Sequence, residues 1–158
     1  MCVLFCCLFG DNMEEYMKLA IKEAKKAFKT GDVPVGAIIV KNNKVIAKAH
    51  NMKEKKKNAI KHAEIIAIEK ACKKLKNWHL NECELYVTLE PCMMCCGAII
   101  QSRIKKIYYS IESTKFGYIE SLDKIFEKNN NHFPKIEKGL CAEESRKILK
   151  EFFELKRD

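Results

Sequence analysis

The chain has 158 residues, 47% of them hydrophobic, which suits one domain with a single buried core. No stretch approaches the roughly 20 apolar residues of a membrane-spanning helix, so no membrane partner is expected. The formal charge of +9, from 30 Lys+Arg against 21 Asp+Glu, makes nucleic acid a candidate partner. That signal is not specific, because all but three of the basic residues are lysine and the chain is rich in Ile and Asn, as a compositionally biased genome would also make it. Nine cysteines form an odd, irregularly spaced set that argues against a disulfide framework and for a reducing cytoplasm.

Met1–Phe9 is apolar, but it is too short and lacks the basic lead of a signal peptide. Residues 1–12 are expected to be a poorly ordered N-terminal extension ahead of a single domain over 13–158. From there Met13, Tyr16, Met17, Ala20, Ile21, Ala24, Ala27 and Phe28 recur at three- and four-residue spacing. This spacing predicts one face of an amphipathic helix, ended by Gly31. Val33–Val40 and Lys44–Ala49 read as strands joined by Asn42-Asn43, a pair that tolerates the positive φ of a tight hairpin.

Residues 50–61 are polar and lysine-rich and read as loop, with the run Lys53–Lys57 a solvated surface. Helix is expected from His62 to Leu75, strand over Glu84–Leu89, helix over Met93–Ser102, strand over Ile104–Ile111 and a closing helix over Glu143–Lys156. The last would turn Ile148, Leu149, Phe152 and Phe153 toward the core. Strands alternating with helices after an opening hairpin predict an α/β fold, a three-layer α/β/α sandwich around a mixed sheet.

Two segments carry chemistry, His62-Ala63-Glu64 and Pro91-Cys92-Met93-Met94-Cys95. Cys92 and Cys95 lie one helical turn apart at a helix start, where the partial positive charge favours thiolates. Alone, such a pair fits a redox couple, half of a structural zinc site, or two buried thiols. His62 adds a third ligand, and one His with two Cys leaves a tetrahedral zinc one open position, the mark of a catalytic site. Cys96 points about 100° away around the helix and is expected in the core, as is Cys72. Two thiolates cancel the charge of Zn²⁺, so a carboxylate is needed beside the metal to move protons, and Glu64 stands two residues from a ligand.

His-x-Glu followed by Pro-Cys-x-x-Cys is the signature of zinc nucleobase deaminases. Beyond it, Gly31–Ala37 (GDVPVGA), His50-Asn51, Leu85–Cys95 (LYVTLEPCMMC), Gly97-Ala98-Ile99, Ser102-Arg103-Ile104, Asn131-His132 and Phe152-Phe153 resemble the bacterial tRNA-specific adenosine deaminases, of the cytidine/deoxycytidylate deaminase superfamily. The resemblance runs from Met13 to Arg157. It implies a cytidine deaminase-like fold with a central five-stranded sheet, one Zn²⁺ per subunit, a homodimer, a cytoplasmic enzyme, and a tRNA anticodon stem-loop whose wobble adenosine becomes inosine. By position it implies His62, Cys92 and Cys95 as metal ligands, Glu64 as catalytic proton carrier, and Asn51, Ala63, Lys115, Asn131, His132 and Phe152 as substrate contacts. Read without the resemblance, Asn51 fits a turn cap equally well and Asn129–His132 is an ordinary polar loop.

One departure stands out. Where relatives carry an Asp-x-Lys-x-Gly motif that helps hold the anticodon loop, this chain has Ser113-Thr114-Lys115-Phe116-Gly117, and position 96 is Cys where Ala is common. The first change bears on the RNA contact and leaves the chemistry intact. A deaminase of the same fold acting on a free base or nucleoside is the competing reading. A zinc-stabilised binding protein is a third, which would require a fourth protein ligand and no Glu64.

Overall fold

Amphipathic spacing near the N-terminus forms a helix longer than its periodicity predicts, since α1 spans Cys7–Lys29. The structure, a computed structural model, describes the backbone of residues 7–157 and the side chains from Asn12 onward. Residues 1–6 of the expected extension lie outside the described residues, and residues 7–12 already belong to α1. Met17, Ala20, Ile21, Ala24 and Ala27 are buried along one face of this helix. It ends in a Schellman turn at Gly31, φ +80°, with Asp32 N–H donating to Ala27 O at 3.0 Å and Gly31 N–H to Phe28 O at 3.1 Å.

The hairpin follows as its turn residues predict. Strands β1 (Gly36–Lys41) and β2 (Lys44–His50) pair antiparallel through Asn42 and Asn43, whose φ angles of 49° and 59° are those of a type I′ turn. Gly36, at the start of β1, lies directly beneath α1, where a Cβ would overlap the carbonyl oxygen of Ala20. Small residues on both sides let helix and sheet approach this closely.

Helix α2 (Lys53–Lys56) is a single turn within the stretch expected as loop. It is followed by α3 (Ala63–Leu75), β3 (Cys83–Leu89), α4 (Met93–Ser102), β4 (Lys106–Ile111), a 3₁₀ turn at Ile125–Glu127, β5 (Lys135–Lys138) and α5 (Ala142–Arg157). The sheet order is β2-β1-β3-β4-β5, with β3, β4 and β5 mutually parallel and β1 antiparallel to both its neighbours, β2 and β3. The expected mixed five-stranded sheet is therefore present. Its fifth strand, Lys-Ile-Glu-Lys, has no alternating apolar pattern to betray it, and its charged side chains suit an edge.

Alternation along the strands divides the core into two. Ile39, Leu85, Val87, Ile107 and Tyr109 pack with Ala67, Ala71, Cys96 and Ile99 on the α3/α4 face, whereas Ile38, Val40, Tyr86 and Tyr108 pack with Met17, Ala20 and Ile21 on the α1 face. Tyr86 and Tyr108, opposite each other across β3 and β4, stack with ring centroids 4.4 Å apart. Burying one Ile, Leu or Met contributes about 1.5–3 kcal/mol. The exposed helix ion pairs Lys18–Glu14 and Lys150–Glu154 contribute about 0.3–0.5 kcal/mol each, so packing fastens the layers. No described helix is long and apolar enough to cross a membrane.

Candidate active site

Two helix N-termini meet at the carboxyl ends of the parallel strands, the usual ligand position in open α/β sheets. His62 is the N-cap of α3 and Cys92 the N-cap of α4, both with extended backbones (φ −73°, ψ 153° and φ −75°, ψ 175°). Their carbonyls accept the first helical bonds, from Ile66 N–H at 3.1 Å and Cys96 N–H at 2.9 Å. Neither side chain caps its own helix. An N-cap Ser, Thr, Asp or Asn would add about 0.5–2 kcal/mol at each position. The chain forgoes that stabilisation, and its ring nitrogen and sulfur point at each other.

His62 Nδ1 lies 3.6 Å from Cys92 Sγ and 3.6 Å from Cys95 Sγ. The three donor atoms fall within 4.8 Å of one another, a group able to hold a metal ion. Cys95 is fully buried, whereas His62 and Cys92 are half-buried, so the cluster opens to one side. A hydrogen bond from Cys95 pulls the Cys92 thiol down to about 4, helped by His62 and opposed by burial. The Cys95 thiol is pushed far above its ordinary value by sharing that bond and by burial. A divalent cation held between them would stabilise both thiolates.

Glu64, in the first turn of α3, is 4% exposed, and burial pushes its carboxyl up to about 7. A contact with the Cys95 thiol works in the opposite direction and ties the carboxyl to the cluster. Ala63, between ligand and acid, is fully buried. The arrangement combines three soft or borderline donors, a buried acid and an open side.

The expected substrate contacts divide. Asn51, at the end of β2, is buried, with Nδ2 donating to Val33 O at 3.2 Å and Oδ1 accepting from Lys53 N–H at 3.2 Å, which are turn-capping bonds. Asp32 joins it from the turn after α1, its carboxylate accepting from Glu54 N–H at 2.6 Å and Lys55 N–H at 3.4 Å. Lys115 is exposed in the loop after β4, where Gly117 bridges Cys92 antiparallel.

Asn131 and His132 sit elsewhere. Asn131 O accepts from Arg103 Nη1 at 2.8 Å, and His132 Nε2–H donates to Ile104 O at 2.5 Å. Both anchors follow the C-terminus of α4, about one ten-residue helix length (roughly 15 Å) from Cys92. Phe152 is 4% exposed and packs edge-to-face on Phe28 at 5.6 Å, while its neighbour Phe153 is exposed. Cys96 is buried with its thiol on Pro91 O at 3.6 Å, as the helical geometry predicts, and Cys72 is only partly buried.

Sequence reasoning overlooked Asp32 and Glu90, two buried acids. Glu90 accepts from the backbone N–H groups of Ser113, Ile119, Glu120 and Ser121 at 2.8–3.1 Å and from the Ser121 hydroxyl. The only signal in sequence is that a Glu stands between a strand and Pro91-Cys92.

Comparison with known proteins agrees with this geometry. The pattern of the MafB19-like deaminases matches residues 11–157. A tRNA-specific adenosine deaminase of Aquifex aeolicus (strain VF5) is 47% identical over 141 residues, 89% of this chain and 93% of that protein. A solved structure from work on A-to-I editing by tRNA:A34 deaminases at the wobble position of transfer RNA superposes with a TM-score of 0.84 at 39% identity, covering 85% of this chain and 99% of the other. A guanine deaminase from Bacillus subtilis aligns less completely, with a TM-score of 0.62 at 37% identity over 72% of this chain and 73% of its own. With motif, fold and sequence in agreement over nearly its whole length, the chain belongs to the MafB19-like deaminase family, alongside the tRNA-specific adenosine deaminases.

Proposed function

We propose that this protein is a zinc-dependent adenosine deaminase that hydrolyses the 6-amino group of the adenosine at wobble position 34 of a tRNA, giving inosine and ammonia. The observation that carries the reading is the His62–Cys92–Cys95 cluster with Glu64 buried beside it, in a chain 47% identical to a tRNA-specific adenosine deaminase. The donors fit zinc. Bonds of about 2.1 Å to nitrogen and 2.3 Å to sulfur at tetrahedral angles separate N and S by about 3.6 Å. Both N–S separations here are 3.6 Å. With three protein ligands, bound zinc supplies Lewis acidity that activates water for attack on an amino-bearing ring carbon.

The chain's own residues do the rest. Glu64 accepts the water's proton on its carboxylate and delivers it to the departing amino nitrogen, a shuttle worth about 10²–10⁴ in rate. Burial raises the proton affinity of that carboxyl, so it both takes and returns the proton near neutrality. Asn51 and Ala63 border the target nucleotide, and Lys115 meets a phosphate at the rim. Asn131 and His132 serve a part of the RNA remote from the reacting base. Phe152 seats α5 through its contact with Phe28, at the end of the chain that faces the RNA.

The outer face of α4, which exposes Met93 and leaves open space around Gly97, supports a homodimer contact. Six described cysteines are free thiols, in keeping with a cytoplasmic enzyme. The likeness to guanine deaminase favours a free base as the second reading. Incubation with an A34 anticodon stem-loop, and separately with free bases and nucleosides, discriminates: inosine in the stem-loop supports the proposal, and ammonia release from free bases alone overturns it.

A further inference from the structure

Between β4 and the 3₁₀ turn, residues 112–124 have no sheet or helix of their own to fold against. Their organiser is Glu90. Its side chain is 2% exposed, and its two oxygens accept four backbone N–H groups and one hydroxyl from residues 113, 119, 120 and 121. The loop closes on itself through Ser113 O, which accepts from Gly117 N–H at 2.7 Å and Phe116 N–H at 3.3 Å. It closes on the site through the Cys92–Gly117 bridge and Tyr118 N–H donating to Pro91 O at 3.0 Å. Gly117 packs so tightly on the Glu90 carboxylate that a Cβ would overlap it.

The loop displays an aromatic ring and a cation side by side at the edge of the site. Phe116, adjacent to the residue that bridges Cys92, is 68% exposed, and Lys115 beside it is exposed as well. A bare ring next to a cation suits a base with its attached phosphate, since unpaired bases stack on aromatic faces and phosphates seek lysine. We propose that Glu90 is a positioning residue for substrate binding, holding residues 113–121 against Cys92 so that Phe116 stacks an unpaired base next to the reacting one. This rests on the RNA reading. It also accounts for the tolerance of Ser113, because position 113 contributes its backbone to the carboxylate and its carbonyl to the turn.

Glu90→Gln keeps the shape but turns two amide hydrogens toward donors that need an acceptor. For an A34 stem-loop, KM is expected to rise about tenfold or more, with kcat changed less than about threefold and zinc content unchanged. Phe116→Ala, at an exposed position that burdens no fold, raises KM in the same sense. The double variant resembles the worse single one, because both act through one loop. Unchanged KM in either single variant, multiplied effects in the double, or loss of zinc with falling kcat in Glu90→Gln would each overturn the proposal. Should Glu90→Gln not fold, Ser121→Ala removes one of the five bonds without stranding an acid, and an unchanged KM there contradicts the clamp. If the wild type deaminates no stem-loop, the RNA reading fails by itself. Amide exchange at Ile119, Glu120 and Ser121 then decides the clamp, faster in Glu90→Gln if it holds and unchanged if it does not.

Discussion

The two ends of α4 are built on opposite principles. At its start the N-cap Cys92 makes no cap bond, its sulfur faces His62 Nδ1 at 3.6 Å, and a second helix begins there with the same omission. At its finish side chains are bonded into the fold. Arg103 adopts a left-handed C-cap (φ 62°) and donates to Asn131 O, His132 donates to Ile104 O, and Ser102 Oγ–H donates back to Ala98 O at 2.8 Å. Helix ends need partners for their unpaired backbone groups. A terminus that leaves potential cap atoms aimed at other donors marks chemistry, while one whose side chains bond back to the fold marks architecture.

Substitutions at each end sharpen the contrast. Cys92→Ser carries the largest effect: the metal is lost, turnover with it, and the apparent stability that zinc lends the native state also falls. Metal analysis alongside melting curves checks this, and a variant retaining stoichiometric zinc would break the distinction. Next comes a purely structural site, Gly36→Ala beneath α1, where a Cβ meets the Ala20 carbonyl. Overpacking there costs about 1–3 kcal/mol in urea unfolding and spares zinc affinity. His132→Ala removes one bond to the backbone, so unfolding free energy drops by about 0.5–1.5 kcal/mol with metal content and kcat intact. A collapse of kcat in this variant would move the far end of α4 into the reaction. The smallest change is expected from Lys115→Ala, which lowers the slope of log KM for RNA against log salt by about 0.7–0.9 while kcat stays put.

These residues also show what could be read before the fold was known. Met17 to Ala27 announced α1 by spacing, and Asn42-Asn43 announced the hairpin because only a few residues accept positive φ in succession. His62, Glu64, Cys92 and Cys95 are legible because zinc chemistry demands that combination of residue types, and His-x-Glu and Cys-x-x-Cys each open a helix. β5 escaped because its pairing with β4 is non-local and four mostly charged residues carry no period. Asp32 and Glu90 escaped for a related reason. Their partners lie about 22 and 30 residues away along the chain, and no pattern in sequence marks a carboxylate that accepts distant N–H groups. Only the resemblance points to Asn131 and His132, and their bonds to Arg103 and Ile104 put them beside the last turn of α4.

In the proposed function, a metal held by three side chains works with one buried acid that binds no metal. Glu64→Ala tests it most directly, with zinc content and single-turnover inosine formation on an A34 stem-loop measured on the same sample. The account predicts one zinc per chain and a rate lower by about 10²–10⁴. Near-wild-type turnover with zinc in place would contradict it.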